Sequence, residues 1–400
     1  MTAGFAEAWP VGRSYRPLFA IARGIRHGRL VITLPDGRDF AFEGAGEGPV
    51  ARLVLRHARA VRRLVMGGTV GLAEAYMDGD WDTPDLAVFL ELGLRNEAEF
   101  GDLHYGGRVV GALRWLWHAL HANTRRGSRR NIAQHYDLGN GFYSRWLDPT
   151  MTYSSAIFAD HAQDLSAAQL NKYRHIAELL DLRPEHRVLE IGCGWGGFAD
   201  FVAREFGCRV TAITISREQL DFTQRRIQQQ GLGDRVEARY VDYRDVQDRF
   251  DRIASIEMLE AVGEKYWPAF FGKIRDALVP GGRAALQVIT IADCWFERYR
   301  RGADFIQRYI FPGGMLPSPG ALEQAIGGAG LALATQRFFG HHYARTLATW
   351  QQRFEAAWPE IVPLGFDERF KRMWEFYLAY CEAGFKAGSI DVAQVALVRR

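Results

Sequence analysis

The stretch Val188–Gly197, VLEIGCGWGG, limits the possible folds of this chain more than any other. Val188, Leu189 and Ile191 make a short apolar strand, Gly192, Gly194, Gly196 and Gly197 follow at once, and a helix-forming run begins near Phe198. Strand, glycine-rich turn and helix is how an α/β sheet brings its backbone up to a nucleotide-like ligand, because glycine has no Cβ in the way and accepts positive φ. Glu190 stands just ahead of the glycines. A turn built for a dinucleotide offers its helix N-terminus to phosphate, whereas an acid in that place suits a cationic or amino-acid-bearing ligand. S-adenosylmethionine, with a sulfonium, an ammonium and no phosphate, has that character. Taken alone, the stretch also allows a tight βα turn with no ligand.

The pattern downstream extends the sheet. Strands are predicted at 188–191, 209–213, 235–240, 252–256 and 283–289, with helices at 198–206, 217–230 and 264–278. Such alternation predicts an open, mainly parallel α/β sheet with right-handed crossovers. A helix over 163–182 precedes it. Residues 131–158 are dense in aromatic and small polar side chains and read as an ordered cap. A second aromatic, proline-rich segment fills 290–320, and the remainder reads as largely helical, with Trp350 and Trp374 as core or dimer contacts.

The N-terminal part is different. Residues 29–43 alternate around Pro35-Asp36-Gly37 as a hairpin. Apolar positions from Val50 to Met66 recur at helical spacing among arginines, and Leu72–Tyr76 and Leu86–Leu94 are further helical stretches, the last with a cap expected at Thr83. We therefore expect a small α+β domain over 1–107, a basic and tryptophan-bearing linker helix over 108–130, and a larger domain over 131–400. Trp115 and Trp117 beside Arg125, Arg126, Arg129 and Arg130 fit adsorption to an anionic bilayer, and fit equally a linker helix with solvated arginines.

Composition excludes little beyond this. A net charge of +3 gives no reason to expect nucleic acid, and four scattered cysteines without ligand spacing suggest reduced thiols and no metal site. Arg13, Arg16, Arg23 and Arg26 interrupt any apolar leader, and no apolar run approaches a membrane span, so a cytoplasmic protein is expected.

Seven separated motifs, YDLGNGFYSRWLDPTMTYSSAIF, VLEIGCGWGG, TISREQ, VDYRD, IEMLEAVG, YIFPGGMLPS and FFGHHYARTLATW, stand in the order of the cyclopropane fatty acid synthase family, which the chain resembles over roughly residues 30–400. The resemblance implies a Rossmann-like class I methyltransferase sheet with a helical lipid-binding cap. It implies S-adenosylmethionine as cofactor and the double bond of an unsaturated phospholipid acyl chain as substrate. It further implies peripheral association with the inner face of the membrane and a homodimer.

Site residues carry over motif by motif. Tyr153 and Ser154 would reach the methionine part of the cofactor, Glu190, Gly192, Gly194 and Gly196 its floor, and Thr214, Ser216 and Gln219 the ribose side. Asp242 and Tyr243 would stand beside the adenine. In the family the alkene takes the methyl, and a bound bicarbonate removes a proton from the resulting cation within a site of cysteine, glutamate, histidine, isoleucine and tyrosine. The matching positions here are Ser155, Glu260, Gln287, Ile289 and Tyr343. Serine and glutamine replace cysteine and histidine, and a glutamine amide cannot titrate near neutral pH. A bicarbonate cradle with altered hydrogen bonds is one outcome; direct proton removal by Glu260 or Glu257 is the other.

Loss of a proton from the transferred methyl closes a cyclopropane, the product the resemblance puts first. Loss from the chain leaves a methyl- or methylene-branched fatty acid. Two other classes fit the same sheet: a methyltransferase for a small polar acceptor, and a lipid-binding protein without catalysis. His341 and His342, with no partner at helical spacing, read as structural, as does His135. Arg298, Arg300 and Arg301 read as facing either headgroups or solvent.

Overall fold

A computed structural model of the chain describes residues 12–100, 138–302 and 304–399. The chain forms two compact units. One takes the described residues up to 100 together with Glu368–Phe376; the other takes those from 138 to Asp367 together with Tyr377 onward. The expected linker helix and His135 lie outside the described residues.

The smaller unit carries a sheet of order β2-β1-β3-β4, from β1 (His27–Thr33), β2 (Asp39–Glu43), β3 (Gly46–Leu55) and β4 (Trp81–Asp82). The β1–β2 hairpin falls where the Pro35-Asp36-Gly37 turn predicts, with Thr33 opposite Asp39 and Gly37 at φ 85°. Val50–Leu55 is strand, not helix. Ala51, Leu53 and Leu55 bury alternate positions, a period of two that the arginines obscure. The helix begins later, at Arg59, and runs to Met77. The next helix, Leu86–Arg95, is capped by Asp85, whose carboxylate accepts from Val88 N at 2.9 Å, and not by Thr83. Three arginines of the 56–63 cluster are spent on carboxylates of their own unit: Arg56 on Asp82, Arg59 on Asp80 and Arg63 on Asp78.

The larger unit is built on a seven-stranded sheet of order β10-β11-β9-β8-β5-β6-β7. Its strands are β5 (Arg187–Ile191), β6 (Arg209–Thr214), β7 (Val236–Tyr240), β8 (Phe250–Ile256), β9 (Leu278–Ile291), β10 (Leu331–Phe338) and β11 (Ile390–Arg399). β5 to β9 are parallel. β10 and β11 were not expected; they are antiparallel, with β11 inserted beside β9. Helix Trp267–Ala277 buries Phe270, Phe271 and Ile274 against one face, each worth about 1.5–3 kcal/mol of apolar burial. Helix Leu165–Leu179 and helix Gly197–Glu205 cover the other. Parallel strands put β5, β6, β7 and β8 with their C-terminal ends along one edge, where a doubly wound sheet takes its ligands. Among the described residues no helix is long and apolar enough to cross a membrane.

Candidate active site

The glycine turn sits at that edge. Gly192, Gly194 and Gly196 all take positive φ (82°, 52° and 79°). Only open space within 4 Å faces a Cβ built on Gly194, whereas one on Gly196 would lie 2.6 Å from Thr223 Cγ2. The first glycine therefore leaves room for a ligand, and the second is required by packing. Glu190 is buried behind the turn, and its Oε2 has no hydrogen-bond partner among the described residues. Burial pushes its carboxyl up to about 8. An orphaned buried carboxyl oxygen beside an open glycine turn fits an amino-acid-bearing nucleoside.

At the end of β6, Ser216 caps helix Arg217–Gln229 by accepting from Gln219 N at 3.3 Å, and Thr214 Oγ1 donates to Gln219 Oε1 at 2.9 Å. These buried groups hold the Gln219 side chain, with its amide NH2 left for a ligand. At the end of β7, Asp242 is committed locally: it accepts from Arg244 N at 3.0 Å and from the Arg244 guanidinium at 2.8 and 2.6 Å. Tyr243 packs edge-on against Phe270 and leaves part of its ring exposed.

The second half of the site is made by the segment before the sheet. Tyr153 is ringed by Tyr143, Trp146 and Trp350, at centroid distances of 5.4, 5.6 and 5.2 Å, and shares a 2.7 Å hydroxyl contact with Tyr377. Trp350 and Trp374 are core residues, at 0% and 1% exposure. Ser154 Oγ accepts from Lys172 Nζ at 2.6 Å, and its carbonyl accepts from Gln169 Nε2 at 2.9 Å. Lys172 is wholly buried on helix Leu165–Leu179, and burial brings its ammonium down to about 7, opposed by the charges of Glu257, Asp148 and Glu190. Sequence reasoning missed this residue. Its mark is a lysine on the inward stripe of Leu165, Ala168, Tyr173 and Ile176.

Ser155, Gln287 and Tyr343 converge on one carboxylate, that of Glu257. Glu257 Oε1 receives Ser155 N at 2.8 Å and Gln287 Nε2 at 2.7 Å; Oε2 receives the Tyr343 hydroxyl at 2.6 Å. Glu257 follows β8 directly and holds φ 50°, a left-handed conformation uncommon outside glycine. Strain of this kind, about 1–2 kcal/mol, persists where the surroundings over-determine it. Desolvation raises the Glu257 carboxyl, and the donors from Tyr343, Gln287 and Ser155 and the charge of Lys172 oppose the rise. Burial, then the charge of Glu257, holds the Tyr343 phenol protonated far above its usual range.

Glu260 is placed differently. Its Oε1 accepts from Ile289 N at 2.6 Å, and its Oε2 is shut off from solvent without a partner among the described residues. Burial and then the neighbouring Glu257 charge push it up to about 8. The structure thus gathers Ser155, Gln287 and Tyr343 on Glu257 and sets Glu260 with Ile289. The donors that the resemblance assigns to bicarbonate are already engaged, so the site does not fit that ion as a further guest.

His342 Nδ1 accepts from Phe158 N at 3.2 Å, and burial takes the ring down to about 4, a structural histidine. Arg300 pairs with Glu264 and Glu297, and Arg301 with Glu297.

This sheet, its open glycine turn and the buried acid behind it define a class I S-adenosylmethionine-dependent methyltransferase. The family model described as mycolic acid cyclopropane synthetase matches residues 123–395, and the chain belongs to that family. It is 38% identical over 390 residues to the tuberculostearic acid methyltransferase UfaA1 of Mycobacterium tuberculosis, covering 95% of this chain and 90% of that protein. It is 39% identical over 347 residues to the cyclopropane-fatty-acyl-phospholipid synthase of Escherichia coli K12, covering 84% and 85%. The solved cyclopropane synthase MmaA2 from M. tuberculosis matches with TM-score 0.64 at 29% identity, over 68% of this chain and 98% of that one. A mycolic acid cyclopropane synthase, CmaA1, complexed with SAH and CTAB, matches with the same TM-score of 0.64 at 28% identity. The protein is an S-adenosylmethionine-dependent enzyme that methylates lipid chains.

Proposed function

We propose that the enzyme adds a methyl group to the double bond of an unsaturated acyl chain of a membrane phospholipid, and that Glu257 then takes a proton without ring closure. The product is a methyl- or methylene-branched chain that keeps one double bond. The observation that carries this reading is the Glu257 carboxyl, which accepts hydrogen bonds from Ser155 N, Gln287 Nε2 and the Tyr343 hydroxyl.

When bound, S-adenosylmethionine supplies the methyl as an electrophile. Glu190, Gly194, Ser154 and Gln219 would hold it, between the glycine turn and the Lys172-braced serine. The alkene π pair forms the new carbon–carbon bond, which leaves positive charge on the neighbouring chain carbon. The ring of Tyr153, partly exposed and backed by the buried Tyr143, Trp146 and Trp350, would offer negative potential to that charge and help exclude the water that would trap it. Glu257 accepts a proton from a chain carbon beside the cation, and the released C–H pair becomes the double bond of a methyl-branched chain; if a hydride first moves from the methyl-bearing carbon to the cation, the proton leaves the methyl and the double bond is a methylene branch. One methyl enters and one proton leaves, so no reductant is needed.

Two observations support branching over ring closure. Ser155, Gln287 and Tyr343, which the family resemblance assigns to an ion, are hydrogen-bonded to the Glu257 carboxyl here. Of the two relatives above, the one that covers more of this chain is named a methyltransferase and the other a cyclopropane synthase. Because the substrate chain belongs to a bilayer, the enzyme would work at the membrane surface.

The test is to incubate the enzyme with S-adenosylmethionine and vesicles of monounsaturated phospholipid and examine the fatty acids by mass spectrometry and proton NMR. The expected product is heavier by CH2 and shows alkene protons. The same mass with cyclopropane ring protons and no alkene would overturn the branching assignment. No turnover on lipid, with turnover on soluble acceptors, would overturn the substrate.

A further inference from the structure

We propose that Gln394, on β11, is a positioning residue that keeps the NH2 end of the Gln287 amide on Glu257. The inference rests on the reading of Glu257 as proton acceptor. β9 and β11 pair antiparallel with Gln287 directly opposite Gln394, so the two side chains share a face of the sheet. Both are buried, at 0% and 1% exposure, so water is excluded as an alternative partner. Gln394 Nε2 donates to Gln287 Oε1 at 3.0 Å, and Gln287 Nε2 donates to Glu257 Oε1 at 2.7 Å and to the Ser155 carbonyl at 3.2 Å.

The direction of this chain follows from the groups at its ends. An ionised carboxylate and a backbone carbonyl only accept, so the end of Gln287 that faces Glu257 and Ser155 has to be its NH2. Its oxygen then faces β11 and needs a donor. Gln394 provides one, and its NH2 also lies 3.5 Å from the Lys172 carbonyl, again an acceptor only. Two backbone carbonyls thereby fix both amides in one sense. Without a donor at 394 the buried Gln287 oxygen loses its partner and only the two acceptors at the other end orient the amide, so its NH2 is held on Glu257 less firmly, and a flipped amide would turn its oxygen toward the Glu257 carboxylate. Gln394 itself touches neither Glu257 nor any reacting group we assign, so it acts through Gln287.

Losing the Gln287 donor raises the pKa of Glu257, which has to be ionised to take a proton. The other groups that act on Glu257 are Ser155 N, Lys172, Tyr343, Glu260 and Cys381; of these residues Gln394 touches only Lys172, at its backbone carbonyl and not at its ammonium.

The experiment compares Gln394→Met, Gln287→Met and the double variant in the full-length enzyme, with kcat measured against pH on monounsaturated phospholipid vesicles and S-adenosylmethionine affinity measured separately. Gln394→Met is expected to lower kcat about tenfold and to move the acid limb up by about one pH unit, with cofactor affinity unchanged. In the Gln287→Met background it should add less than about a twofold change. If Gln394→Met does not fold, Gln394→Asn, whose amide is too short to reach Gln287, is read in the same way. An unmoved acid limb, or an effect that multiplies in full with that of Gln287→Met, would overturn the proposal. Glu257→Gln separates the two readings. If it keeps turnover, the base assignment fails. If it is inactive while Gln394→Met keeps the wild-type limb, only the positioning role fails.

Discussion

Gln287 grips Glu257 from both sides: its carbonyl accepts the Glu257 backbone N–H at 2.8 Å, and its side-chain amide donates to the Glu257 carboxylate at 2.7 Å. One residue of β9 thus fixes both the left-handed backbone and the side chain of the residue that leaves β8. A glutamine can do this at any working pH because it does not titrate, whereas a histidine would change its donor count across neutrality.

The two glutamates of the EMLE segment should separate by charge. Glu260 keeps its proton up to about 8 in the folded protein, against an ordinary 4.5. At pH 7 it is neutral, so Glu260→Gln is close to isosteric and should retain kcat within about threefold. The linkage has a definite sign. Between 4.5 and about 8 the folded state holds one proton more than the unfolded state, so the Glu260 contribution to stability falls as pH rises through that window. The melting temperature of Glu260→Gln relative to wild type should therefore increase from pH 5 to pH 9. A constant difference would show that Glu260 is ionised throughout.

Lys172→Met should preserve the packing of the aliphatic stem while removing the buried charge and the 2.6 Å bond to Ser154. Without the Lys172 charge, which opposes the effect of burial, Glu257 becomes harder to ionise, and the acid limb of kcat should rise by about one pH unit. Cofactor KM should rise too, because Ser154 loses its brace. A pH profile identical to wild type would disconnect Lys172 from the site.

The glycines of the turn should also part. Alanine at Gly194 meets only backbone strain, about 1–2 kcal/mol, but its methyl enters the open space beside the turn. Gly194→Ala should therefore stay folded and lose S-adenosylmethionine affinity at least tenfold. Gly196→Ala would drive a Cβ to 2.6 Å from the buried Thr223 methyl and should lower the melting temperature more than Gly194→Ala does. Calorimetry of binding and thermal unfolding on the two variants checks the contrast.

Much of this was legible in the sequence because strand, turn and helix recur between Val188 and Ile291 with clean changes of period. Thr214, Ser216 and Gln219 were assigned to the cofactor through the family resemblance, and they stand at the end of the strand next to the glycine turn. The closing strands β10 and β11 were hidden: β11 follows the long helix Glu368–Ala387, and their antiparallel pairing leaves no βα alternation to detect. Which glutamate faces Ser155 was equally hidden. Residues three apart beside a strand end point in directions set by the turn between them, and that turn depends on the positive φ at Glu257. Gln394 was visible only as an amide inside the apolar run VAQVALV, which has no meaning until β11 is known to lie beside β9.

The central claim is that Glu257 removes the proton, and single-turnover kinetics of Glu257→Gln tests it most directly. The variant keeps the size of the side chain and, by this account, binds S-adenosylmethionine within about threefold of wild type while its chemical step slows by about 10²–10⁴. Transfer of the methyl to monounsaturated phospholipid at the wild-type rate, with the same product, would contradict it.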